Sequence, residues 1–98
     1  MQINIQGVGL DLTEALKQYV NEKFKKLERK GDIITTIAVT LTLDNNPLKS
    51  HVAKADLSVS GGNLHTEEAA ETMYAAIDGL IDKVDRQLVR YKEKQRKD

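Results

Sequence analysis

The chain opens on a two-residue period. Ile3 and Ile5 alternate with Gln2, Asn4 and Gln6, the pattern of a half-buried strand, and Gly7 and Gly9 punctuate its end. The period then lengthens. Leu12, Leu16, Tyr19, Val20, Phe24 and Leu27 recur at helical spacing. Asp11 or Thr13 can cap that helix, Asp11 with Glu14 at capping-box spacing, and Gly31 is placed to stop it after a basic last turn. Alternation returns in Ile37, Val39, Leu41 and Leu43, and again in Ala53, Ala55, Leu57 and Val59, with Asn45-Asn46-Pro47 as the turn between them. Gly61-Gly62 signals a tight hairpin, and Leu64 and Thr66 predict a short fourth strand. From Met73 onward Ile77, Leu80, Ile81, Val84, Leu88 and Tyr91 form one apolar stripe of a long final helix.

Strand, helix, three strands, helix reads as a two-layer α+β domain of βαβββα order. Two helices with one apolar face each cover one face of a four-stranded sheet. The other face then shows Gln2, Asn4, Gln6, Thr40, Thr42, Lys54, Asp56 and Ser58. Tyr19, Phe24, Tyr74 and Tyr91 all fall in predicted helices, so the sheet has no aromatic on which to stack bases. Any nucleic-acid contact therefore belongs to the helical layer. The 98 residues make a single domain, 1–98, whose polar end at 92–98 is expected to fray.

Composition removes several kinds of chemistry. Without cysteine there is no disulfide, zinc thiolate or thiol nucleophile. The longest apolar runs fall far short of the ~18 residues of a membrane span, and MQINIQG is no signal peptide, which makes the cytoplasm the default compartment. Fifteen basic and fifteen acidic residues cancel, so bulk charge does not draw this chain to nucleic acid, and only local patterning can.

The final helix supplies that patterning. At about 100° per residue, Lys83, Arg86, Arg90, Lys94 and Lys97 fall on one flank of the apolar stripe. Asp78, Asp82 and Asp85 fall on the other, with Glu93 around the back, and Lys92 and Arg96 blur the sorting near the end. The result is a basic ridge about 20 Å long at ~1.5 Å per residue, suited to a row of phosphates. The plainer alternative is a solvated face laced with pairs such as Asp82–Arg86. In the first helix Lys23 projects beside the apolar stripe, where it can bury its stem and push its ammonium into the groove between the helices; the plainer alternative is simple edge packing, and the functional one is that cations of both helices converge in that groove. His51 and His65 stand alone on predicted strands with no neighbouring ligands at metal spacing. No serine, histidine and acid form a catalytic motif, and Gly7-x-Gly9 reads as a turn.

The residues carry a resemblance. The start Met1–Gly7, the segment Lys23-Phe24-Lys25-Lys26-Leu27-Glu28-Arg29, the long run from Met73-Tyr74-Ala75-Ala76-Ile77-Asp78 through Asp82-Lys83 to Arg86-Gln87-Leu88, and Lys92-Glu93-Lys94 together resemble the short-type bacterial ribosome hibernation promoting factors over nearly the whole chain. The resemblance implies a fold similar to the double-stranded-RNA-binding domain. It implies a cytoplasmic translation inhibitor, monomeric when free, that binds the small ribosomal subunit and its ribosomal RNA in the messenger and transfer RNA channel, and stores idle ribosomes in stationary phase. With no catalytic motif and no long apolar run in the sequence, no enzyme activity, cofactor, membrane or small-molecule substrate is expected. Carried over by position, the family's basic surface falls on Lys23, Lys26, Arg29, Lys83, Arg86, Arg90 and Lys94. Gly7-Val8-Gly9 and Lys30-Gly31 depart from the family's pattern, which often has bulky polar or basic residues and aromatics there. A second reading, of another class, is a protein-interaction module that docks through the acidic flank and the polar sheet face.

Overall fold

The structure, a computed structural model, describes residues 2–30 and 33–96, without the side chains of Arg29, Lys30, Gln95 and Arg96. Its elements are β1 (Gln2–Val8), α1 (Glu14–Lys25) with a 3₁₀ turn over Lys26–Lys30, β2 (Ile34–Leu43), β3 (His51–Val59), β4 (Gly62–Ala70) and α2 (Met73–Arg96). The strands form one sheet in the order β1-β2-β3-β4. β1 runs parallel to β2, the other neighbours are antiparallel, and α1 makes the crossover that a parallel pair requires.

β1, β3 and the middle of β2 keep their expected alternation, with a register irregularity between Ile34 and Thr36, and the register lines up the apolar positions. Ile3 lies opposite Ile37, Ile5 opposite Val39, Val39 opposite Ala55, and Leu57 opposite Leu64. That face meets Val20 and Phe24 of α1, Leu27, and Met73, Ala76, Ile77, Leu80, Val84 and Leu88 of α2 in one buried core. α2 lies over β3 and β4, with α1 beside it. The polar face expected from the sequence is the open one, where Gln6 Nε2 donates to Thr40 Oγ1 at 3.4 Å.

Local chemistry sets the element ends. Thr13, not Asp11, caps α1: its backbone is extended and its hydroxyl accepts from the Leu16 amide at 3.2 Å. Thr72 caps α2 in the same way, accepting from the Ala75 amide at 3.1 Å. Gly9, with φ 74°, turns the chain out of β1 in a conformation that side chains disfavour, and a Cβ on Gly7 would lie 3.0 Å from the Leu10 carbonyl. The Gly7-Val8-Gly9 departure is therefore a backbone requirement of this turn. The turn after β2 centres on Asn46, whose side chain accepts from the Leu48 amide at 3.0 Å. Leu43, expected in the core, ends β2 with 49% of its surface exposed. Gly31, the expected stop of α1, lies outside the described residues.

β4 is not short. It runs nine residues and pairs with all of β3, from Val59↔Gly62 to His51↔Ala70. Glu67, Glu68, Ala69 and Ala70 are weak strand formers, which hid this extension in the sequence. The ladder to β3 overrides that preference.

Candidate nucleic-acid interface

α2 carries two different flanks because its apolar stripe fixes its rotation on the sheet. One flank overhangs β4, an edge strand of the sheet. There Lys83 Nζ donates to the Glu67 carbonyl at 3.0 Å and pairs with Glu68 Oε1 at 3.0 Å. One turn on, Gln87 Nε2 donates to the His65 carbonyl at 3.0 Å. A further turn on, the Tyr91 hydroxyl donates to the Ser60 carbonyl at the β3–β4 hairpin. These three contacts pin α2 along the edge strand and its hairpin, and the first two occupy carbonyls that an edge otherwise leaves open.

A shallow cleft follows this seam. Thr66, Lys83, Arg86, Gln87 and Arg90 line its first part, and Leu64, Gln87, Arg90, Tyr91 and Lys94 its second. Four of the sequence-derived cations, Lys83, Arg86, Arg90 and Lys94, are thus brought to one cleft. Arg86, Arg90 and Lys94 are exposed, and no ion pair engages them among the described residues. An arginine pair and a lysine with free donors beside a strand edge offer charge-assisted hydrogen bonds to phosphate oxygens.

Lys23 of the first helix does not join that row. Lys23 reaches the groove between the helices, as its spacing suggested, but meets Asp78 there at 3.8 Å and sits 5.2 Å from the Tyr19 ring centroid. Tyr19 donates to Asp78 Oδ1 at 2.6 Å and packs edge-on against Tyr74 at 4.8 Å. The expectation that cations of both helices converge in one groove is corrected on this point: α2 turns its acidic flank to α1 and its basic flank to β4. Helical phase alone separates the two flanks, but only the order of the sheet decides which flank faces which neighbour. The hydrogen bond to Asp78 raises the Tyr19 pKa above its ordinary 10.0, and burial and the nearby Asp78 charge raise it further. Lys26 is exposed where α1 passes into its 3₁₀ turn. Arg29 belongs to that turn, and its side chain lies outside the described residues, as does Lys97.

Sequence reasoning missed two features. Glu68 and Lys83 are 15 positions apart on different elements, and no spacing rule links them. On the open face His65 Nδ1–H donates to Asp56 at 2.6 Å, with Glu67 3.7 Å from Nε2, a cluster that only the β3–β4 register Asp56↔His65 creates.

Known proteins share this chain's sequence and shape. Residues 3–96 match the family described as Sigma 54 modulation protein / S30EA ribosomal protein. The ribosome hibernation promoting factor of Azotobacter vinelandii is 50% identical over 95 residues, covering 97% of this chain and 86% of that protein. That of Salmonella typhimurium is 45% identical over 94 residues, covering 96% of each. Among solved structures, a ribosomal subunit interface protein from Coxiella burnetii superposes with a TM-score of 0.86 at 27% identity, over 95% of this chain and 99% of that one. The N-terminal domain of Thermus thermophilus Protein Y gives 0.77 at 31% identity, over 92% and 94%. With its strand order, its two helices on one sheet face and near-complete coverage by these relatives, the chain belongs to the S30EA family, the family of the ribosome hibernation promoting factors.

Proposed function

We propose that this domain is a cytoplasmic hibernation factor that binds the small ribosomal subunit through its ribosomal RNA, in the channel of messenger and transfer RNA, and holds idle ribosomes silent. The observation that carries the reading is the cleft between α2 and β4, where Lys83, Arg86, Arg90 and Lys94 gather on a chain of zero net charge. Lys23, Lys26 and Arg29 would form a second, separate contact. The mode is occupancy: one copy places its cations on backbone phosphates, and its body fills the space that messenger and transfer RNA need. Phosphate contacts position a protein without reading bases, so selectivity would come from the shape of folded RNA. Docking of a protein on the acidic flank is the weaker reading, because Asp78 is already engaged by Tyr19 and Lys23.

The test is co-sedimentation with purified small subunits across a salt series. Four to six phosphate contacts give a log–log slope of roughly −3 to −5, at ~0.7 to 0.9 per phosphate. Arg86→Glu with Arg90→Glu is expected to abolish binding with melting unchanged, and Asp82→Ala to preserve binding. A flat salt response, or full binding by the folded double mutant, would refute the reading.

A further inference from the structure

We propose that Glu68 is an internal competitor for RNA phosphate at Lys83, so that this chain carries a built-in brake on its own basic cleft. The inference rests on the phosphate-binding reading of that cleft and concerns how strongly the cleft binds.

The register sends Glu68 to the covered face of the sheet. It lies opposite Ala53, which is fully buried, yet on an edge strand where its carboxylate can escape sideways. Across from it stands Gly79. A Cβ built on Gly79 would fall 2.7 Å from Glu68 Cγ and 2.9 Å from its Cδ, so the side chain lies flat on the helix in the space that glycine leaves. One helical turn further, the carboxylate meets Lys83 at 3.0 Å. An ammonium has three donors. The Glu67 carbonyl takes one, and the Glu68 carboxylate holds the ammonium in an ion pair at 3.0 Å, so an incoming anion meets a cation that is already engaged. A phosphate at Lys83 must share the ammonium with a carboxylate of its own sign or displace it. Among the described residues Arg86, Arg90 and Lys94 have no such partner, so the brake acts on one end of the row only.

The Glu68 side chain remains 32% exposed and that of Lys83 44%, so the pair is a solvent-screened contact that a stronger ligand can open. Removing the carboxylate frees a full cation for RNA. The expected gain is about two- to fivefold in affinity, in keeping with an exposed pair. The salt slope is expected to steepen by about 0.7 to 0.9, one more phosphate neutralised.

The experiment measures binding to purified small subunits over a salt series for the full chain, Glu68→Gln, Glu71→Gln and Gly79→Ala, with Glu68→Gln repeated in a Lys83→Met background. Glu71 is an exposed carboxylate close by in sequence and reports the effect of net charge alone. Gly79→Ala expels the Glu68 side chain without changing any charge. The expected result is a gain and a steeper slope for Glu68→Gln and Gly79→Ala, little change for Glu71→Gln, and no gain in the Lys83→Met background. The proposal is overturned if Glu68→Gln does no more than Glu71→Gln, or if its gain survives without Lys83. If the unmodified chain fails to bind subunits at low salt, the functional reading fails. Elution of the same proteins from immobilised heparin, a generic polyanion, then decides the brake by the same criteria.

Discussion

Tyr19, Asp78 and Lys23 show how one residue joins two helices. The Tyr19 hydroxyl donates to Asp78 at 2.6 Å, and Lys23 covers both the carboxylate and the ring. Tyr19→Phe removes the hydrogen bond and leaves the ring packing, at a cost of about 1 kcal/mol for a bond at the protein surface. The pKa shift fixes the sign of its pH dependence. The folded chain holds the phenol proton more tightly than the unfolded chain, whose value is near 10.0. The contribution is therefore complete below that value and is lost as pH rises through the raised folded value. Denaturant melts between pH 8 and 12 will show the gap between the native chain and Tyr19→Phe narrowing only at the alkaline end; a gap independent of pH would contradict this. In the sequence Lys23 was legible as a snorkelling lysine, but its partner was not, because Asp78 lies 55 positions on and only tertiary packing joins them.

Among the elements, α2 ties core and cleft together. Its apolar stripe sets its rotation, and that rotation aims Arg86, Arg90 and Lys94 along the edge of β4. Leu80 is fully buried near the middle of the stripe. Leu80→Ala is expected to cost about 2–5 kcal/mol, a large part of the roughly 5–15 kcal/mol that holds a small domain together. The loss should lower the melting temperature by roughly 10 °C or more, measured by circular dichroism. A far smaller loss would show that α2 is held mainly by its edge contacts. Helical periodicity made this stripe and both charged flanks readable, and alternation did the same for β1, β2 and β3. The second half of β4 was hidden, since Glu67 to Ala70 form a strand only because His51 to Lys54 lie opposite. The choice of Thr13 over Asp11 as cap also followed from geometry that spacing alone leaves open.

For the whole molecule, inhibition by occupancy has a stoichiometric signature. Titrated into cell-free translation, the protein is expected to inhibit at about one copy per ribosome, and a high-salt wash should restore activity because its contacts are electrostatic. Inhibition at a small fraction of the ribosome concentration, or lasting inactivation after the wash, would point to chemistry instead. The two-layer arrangement was legible because each element shows one apolar face, but the strand order was not, since periodicity says which face is buried and not which strands are neighbours. That order has a consequence during synthesis. β1 is made before every other element, and its only neighbour in the sheet is β2, in a pairing that spans 34 residues between Gln6 and Thr40. At ~5–20 residues per second, a nascent chain waits roughly 2–7 s between making the first strand and making its partner. Through that wait Gln2–Val8 is a β-prone segment without a single charge, free to pair with whatever strand it meets. Joining β2 also means closing the loop through α1, which cannot begin until β2 has left the ribosome. The meander β2-β3-β4 needs only neighbouring turns, so the strand synthesised first is the one placed to enter the sheet last.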